Sequence, residues 1–185
     1  MASFHLLSAG YGGKRTASTV SLVVSGSSLV VIDPGMVSST SVILDPLRSL
    51  GWDPGQVTDV VLSHHHPDHT INVALFPNAR VHDHWAIYKD DLWTDRPAEG
   101  FEVADGVVLW ETPGHTAQDI TTIVREAEQT IAFTHCWWYE TAPYDDPRCT
   151  NPDSLHASRE RVLEVADLIV PGHGTPFVPT ASTSR

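Results

Sequence analysis

Five short β-branched or apolar runs in this chain of 185 residues each stop at or just before a histidine, an aspartate or a cysteine. Leu29–Asp33 ends in Asp33, and Thr58–Leu62 is followed by Ser63 and His64. His115 comes soon after Val107–Thr112, His135 and Cys136 directly after Thr130–Thr134, and His173 after Leu168–Val170. Strand ends and the loops beyond them can converge on one rim while the strands remain a packed scaffold. A fold that honours this pattern gathers side chains from widely separated parts of the chain at a single edge.

The rest of the chain supplies the layers. Thr19–Val24 and Leu29–Asp33, separated by Ser25-Gly26-Ser27-Ser28, read as a hairpin. A helix is predicted over Ser39–Leu50, closed by Gly51. Thr58–Leu62 and Ala79–His82 read as short strands, with a short helix between them at Thr70–Leu75. Asp83 to Gly100 reads as irregular and aromatic. Val107–Thr112, Ile120–Arg125 and Thr130–Thr134 read as successive strands. A helix from Asp153 to Val165, capped by Asp153 or Ser154, precedes a last strand at Leu168–Val170. Strands in blocks, with helices between and after them, fit two sheets covered by helices better than a strictly alternating parallel sheet. We expect one α/β domain over 1–180 and a polar tail, 181–185, that frays.

Composition narrows the partners. A net charge of −12 disfavours an extended nucleic acid, because phosphate binding needs a basic face and no Lys/Arg cluster offers one. No apolar run reaches membrane-spanning length, and no secretory signal pattern stands at the N-terminus. Two cysteines, Cys136 and Cys149, are too few for a disulfide scaffold. These features lead us to expect a cytoplasmic protein acting on a small molecule, with self-association into a homodimer left open.

The chemistry concentrates in Ser63-His64-His65-His66-Pro67-Asp68-His69. Imidazole nitrogen and carboxylate oxygen suit zinc and neighbouring first-row metals. His64 and His66 share a face on a loop leaving a strand, His65 turns away, and Pro67 stiffens the turn before Asp68 and His69. Four donors within six residues crowd a single ion, so two ions are the natural expectation. Pro113-Gly114-His115-Thr116 and Pro171-Gly172-His173-Gly174 supply one more histidine each, on glycine-flanked turns.

With these motifs in place, the chain resembles the metallo-β-lactamase superfamily along nearly its whole length. Ile32-Asp33-Pro34-Gly35 looks like the family's first motif, His64 to His69 like its second, Gly114-His115 like its third and Gly172-His173-Gly174 like its last. The stretch from Ser158-Arg159-Glu160-Arg161-Val162-Leu163 to Gly174 looks closest to small stand-alone members. The resemblance implies a four-layer αββα sandwich with metals at one edge. It assigns His64, His66 and His115 to one ion and Asp68, His69 and His173 to another, with Asp33 orienting a ligand. One or two zinc ions are expected, with iron or manganese as alternatives. From these 185 residues we expect neither the extra domain of the nucleic-acid-processing members nor the helical domain of glyoxalase-type thioesterases.

One motif departs from the family. Members usually carry a bridging aspartate in a Phe-Thr-Gly-Asp-like segment, whereas this chain reads Phe133-Thr134-His135-Cys136-Trp137-Trp138. Three readings follow: Cys136 binds as thiolate, His135 swings in instead, or neither binds and the second site weakens, with metal content below two per chain. Trp85, Tyr88 and Trp93, and then Trp137, Trp138 and Tyr139, are candidates for an aromatic substrate pocket or for plain core packing. We expect a hydrolase in which a metal-bound hydroxide attacks an ester, lactone, thioester, amide or phosphodiester bond, with Asp68 handling the proton. The alternatives are iron-dependent oxidation on the same fold, and metal binding with weak turnover because the bridging Asp is absent.

Overall fold

The computed structural model describes residues 2–141 and 144–185. In chain order, β1 (Ala2–Ser8), β2 (Val20–Ser25) and β3 (Ser28–Ile32) precede α1 (Ser41–Ser49). Then come β4 (Asp59–Val61), α2 (Pro67–Thr70), β5 (Arg80–His82), β6 (Ala86–Lys89) and β7 (Leu92–Asp95). The second half holds β8 (Glu102–Ala104), β9 (Val107–Glu111), β10 (Ile120–Glu126), β11 (Gln129–Thr134), α3 (Pro152–Leu163) and β12 (Leu168–Pro171). The first seven strands form one sheet in sequence order, and the other five form a second in the order β12-β11-β10-β9-β8.

Alternation along the strands builds three apolar layers. Val30 and Ile32 of β3 face Ile131 and Phe133 of β11 across the space between the sheets, with Val61, Leu109 and Val124 beside them. The other face of the first sheet, through Leu22, Val31 and Val60, buries Ile43 and Leu47 of α1. The outer face of the second sheet, through Ile123, Ala132 and Ile169, buries Leu155 and Val162 of α3. The result is the expected helix–sheet–sheet–helix sandwich.

The pairing explains why one edge collects the motifs. β3 and β4 are parallel, and so are β11 and β12. β9 and β11 both run antiparallel to β10, so they share a direction. The C-terminal ends of β9, β11 and β12 therefore lie on one edge. The Ile120 amide donates to the Ser63 carbonyl at 2.9 Å and the Thr19 amide to the Gly172 carbonyl at 2.8 Å, locking the two sheets together at that edge.

Several local expectations are corrected. The segment Asp83 to Gly100, read as irregular, contains the β6–β7 hairpin, whose turn passes through Asp90 at a φ of 54°. Its strand residues are mostly exposed or half-buried, so no clean apolar alternation announced them. β1 and β8 were not anticipated either. The helix expected at Thr70–Leu75 begins earlier, on the motif itself at Pro67, because proline suits a first helical turn. Asn151, rather than Asp153 or Ser154, caps α3 by accepting from the Ser154 amide. The tail expected to fray makes contacts, since the Trp137 indole donates to the carbonyl and hydroxyl of Ser184 at 3.0 and 3.1 Å. Among the described residues, no helix is long and apolar enough to cross a membrane.

Candidate metal centre

Asp33 organises one half of the site. It follows β3 with a φ of 51°, a left-handed conformation that aspartate tolerates better than most residues. One carboxylate oxygen accepts from the Ser63 amide, and the other accepts from the Ser63 hydroxyl, each at 2.7 Å. That second oxygen also meets His69 Nδ1 at 2.8 Å. Because the Ser63 hydroxyl donates to Asp33, its lone pair accepts from His64 Nδ1 at 3.0 Å. His64 and His69 thus both carry their proton on Nδ1 and turn a bare Nε2 inward. Gly35 allows the α2 loop to come this close, since a Cβ there would overlap the Asp68 carbonyl.

The other histidines are oriented in the same manner. His115 Nδ1 is held by the Asp146 carboxylate at 2.8 Å, and His173 Nδ1 by the Ala17 carbonyl at 2.9 Å. Their Nε2 lone pairs also point into the cluster. His66 Nδ1 lies 2.9 Å from His64 Nε2 and 3.1 Å from His115 Nε2. A single proton on His66 cannot serve both neighbours. Three nitrogens whose lone pairs meet in this way fit a cation, since donors on a tetrahedral zinc lie roughly 3.3 Å apart.

A second group adjoins the first. Asp68 Oδ2 lies 3.8 Å from His69 Nε2 and 3.6 Å from His173 Nε2. His69 Nε2 is buried without a hydrogen-bond partner, an orphan that an ion would satisfy. The donor atoms of His64, His66 and His115, and those of Asp68, His69 and His173, each lie within 4.8 Å of one another. Burial, first, and the neighbouring imidazoles, second, hold His64 and His135 well below the usual histidine range. Burial likewise brings His173 down to about 4 and lowers His66. These rings are neutral at pH 7, the state that binds a metal.

The departing motif resolves as an alternation. His135 and Cys136 leave β11 in opposite directions. The His135 ring centre lies 4.2 Å from that of His115, 4.6 Å from His64, 4.9 Å from His69 and 5.1 Å from His173. Its Nε2 is 3.1 Å from His173 Nε2, and its Nδ1 is buried without a partner. Gly172 leaves room for that ring, because a Cβ there would overlap His135 Cδ2. Cys136 instead packs among Leu155, Val162 and Trp137, where burial pushes its thiol up to about 11. The thiolate reading is therefore corrected on geometry: Cys136 packs on the α3 side of the sheet and belongs to none of the donor groups among the described residues.

Above the cluster opens a cavity of about 480 Å³, lined by His66, Asp68, His115, His135 and His173 on one side and by Thr16, Trp138, Tyr139 and Arg148 on the other. Of the aromatic candidates, Trp138 and Tyr139 line it. Trp137 is fully buried under α3, while Trp85 and Trp93 are exposed and pack on His65 and Tyr88, away from the cavity. His65 faces away from the donors and meets Asp83 at 2.9 Å. Sequence reasoning missed Asp146, which accepts from His115, from the Trp138 indole at 2.9 Å and from the Arg148 amide at 2.8 Å. Burial raises the Asp146 carboxyl, but these hydrogen bonds outweigh it and leave the group below its ordinary value. Nothing in its sequence neighbourhood signals a partner 31 positions upstream. Ser63, inside the motif, was readable only as a spacer.

Comparison with known proteins agrees with this geometry. Residues 13–178 match the metallo-beta-lactamase superfamily. The metallo-beta-lactamase domain-containing protein 1 of Xenopus laevis is 30% identical over 197 residues, covering 95% of this chain and 81% of that protein. The chain spans less of the mammalian proteins of that name, between 59% and 65% of their length. A metallo-beta-lactamase-type structure from Thermotoga maritima superposes with a TM-score of 0.75 at 22% identity, covering 96% of this chain and 99% of that one. Another structure, solved in a di-iron-bound form, superposes at 0.70 with 24% identity over 95% of this chain and 98% of its own. By its motifs, its layered fold and these matches, the chain belongs to the metallo-β-lactamase superfamily.

Proposed function

We propose that the protein is a metal-dependent hydrolase of a small, partly apolar substrate carrying an ester, lactone, thioester, amide or phosphodiester bond. The observation that carries this reading is the meeting of two donor groups, each within 4.8 Å, at the floor of an open cavity. His64, His66 and His115 would hold one ion. Asp68, His69 and His173 would hold a second, with His135 as a further imidazole donor beside His173. An ion of the zinc type supplies an acidified water and polarises the scissile oxygen.

The chain's own groups do the rest. Asp33, Ser63, Asp146 and the Ala17 carbonyl fix four histidine tautomers, so no reorganisation is needed as charge develops. Asp68 lines the cavity and is the carboxylate in reach to orient the attacking water, accept its proton and return it to the leaving group. Trp138 and Tyr139 give the substrate an apolar wall.

The test pairs elemental analysis of freshly purified protein with hydrolysis assays on aryl esters, lactones and thioesters. Zinc together with turnover that His66→Ala abolishes supports the reading. Iron with oxygen consumption would move the protein to oxidative chemistry, which an imidazole-rich donor set also accommodates. Bound metal with no turnover of any substrate would leave a binding protein.

A further inference from the structure

A polar pair interrupts the buried stripe of α3. Leu155, Ser158, Arg159 and Val162 are its buried residues, and the Arg159 side chain is wholly enclosed. Taking a guanidinium out of water is costly unless its donors find partners, so an apolar residue would serve packing better at this position. Burial lowers the Arg159 guanidinium from its ordinary value, yet an arginine stays charged at neutral pH.

Its partners lie on the main chain that carries the site. Arg159 Nε donates to the Cys136 carbonyl at 2.8 Å, and a terminal nitrogen donates to the Tyr144 carbonyl at 2.6 Å. Cys136 directly follows His135. The carbonyls of Trp137 and Trp138, next along, accept from the Gly172 and His173 amides at 3.0 and 2.8 Å. Tyr144 stands two residues before Asp146, whose carboxylate holds His115 Nδ1. Beside Arg159, the Ser158 hydroxyl donates to the Pro113 carbonyl at 2.9 Å, and Leu155 lies so close to Gly114 that a Cβ there would overlap it. Two consecutive residues of one helix thus fasten three segments, each bearing a histidine of the cluster or the carboxylate that orients one. Both carbonyls held by Arg159 lie between β11 and α3, where regular backbone pairing has ended.

We propose that Arg159 is a positioning residue of the metal centre. By holding the Cys136 and Tyr144 carbonyls on one planar fork, it sets His135 and His173 against His115, so that the two donor groups keep their spacing together. The inference rests on reading the cluster as a metal centre. Arginine suits the task because its donors diverge in fixed directions, whereas a lysine ammonium on a flexible stem keeps the charge and loses the fork.

The experiment is zinc titration of the full-length, metal-free protein in competition with a chromophoric chelator. The visible spectrum of the cobalt-loaded protein, whose bands report donor geometry, is the second readout. Arg159→Met keeps an unbranched stem and removes the fork. Zinc is expected to bind it at least about tenfold more weakly, the range carried by groups that orient metal ligands, and the cobalt bands are expected to shift. Arg159→Lys is expected to fall between, at least about threefold weaker than wild type. Val162→Ala, on the same buried face, removes packing and no hydrogen bond. Its urea midpoint is expected to fall while zinc affinity stays within about twofold of wild type. Should Arg159→Met not fold, the lysine variant decides alone. Arginine variants within about twofold of wild type, or a Val162→Ala loss as large as theirs, overturn the proposal and leave the metal-centre reading standing. A wild-type protein that takes up no zinc or cobalt overturns that reading, and this inference with it.

Discussion

Asp146 and Asp33 do at the scale of single residues what the clustered histidines cannot do for themselves: each fixes which ring nitrogen carries the proton. Replacing Asp146 with Asn keeps the shape but gives His115 a neutral partner, and the ring can then flip tautomer. Competition titration with a chromophoric chelator should show zinc affinity falling about 10- to 100-fold. Cys136→Ser should leave metal content unchanged, because the side chain sits in the core beneath α3 and outside the donor groups. An accompanying fall in zinc content would return Cys136 to the donor set. The clustering of His64, His66, Asp68, His69, His115 and His173 was legible because they lie in compact motifs. The choice between His135 and Cys136 was not legible, since side-chain direction at a strand end depends on the register of β11. Asp146 was hidden for a different reason: it joins the site from an irregular loop, with no periodicity to place it.

Elements set how closely these residues approach. β11 and β12 run parallel, and Gly172 after β12 gives the His135 ring its space. Gly172→Ala should therefore force the ring or the strand aside, costing about 1–3 kcal/mol in urea denaturation and reducing bound metal together with stability. Trp137→Ala separates packing from specificity. Its indole is wholly buried under α3, so a loss of about 3–5 kcal/mol in stability is expected, with the relative rates on different substrates preserved. A changed substrate profile in a stably folded variant would contradict the placement of Trp137 in the core. At this scale the sequence was informative where apolar alternation is strong. β2, β3, β4, β9, β10 and β11 bury alternate residues on two apolar layers and were expected. β6 and β7 form a largely exposed hairpin, and β1 and β8 are edge strands, so burial wrote no pattern into them.

The whole molecule carries a cost that the site imposes. His64, His135 and His173 have folded pKa values pushed below the unfolded value of about 6.5, mainly by burial. Below that pH the unfolded chain binds protons that the folded, metal-free protein refuses, so stability falls as pH drops through 6.5 toward about 4, where His173 titrates. Urea midpoints of the metal-free protein should therefore be lower at pH 5 than at pH 7.5. Equal midpoints would mean that these rings are not buried neutral. Bound metal adds to the same dependence, because ligand imidazoles must stay unprotonated. The layered architecture was legible from the order of strand and helix blocks. The convergence of Asp33, His64, His115, His135 and His173 on one edge followed from their positions after strands. The most direct test of the central claim is anomalous diffraction at the zinc edge from crystals of the metal-loaded protein. The account expects density enclosed by His64, His66 and His115, and a second peak beside Asp68, His69 and His173. A map with no peak inside this cluster, or with metal bound only at surface carboxylates, would contradict it.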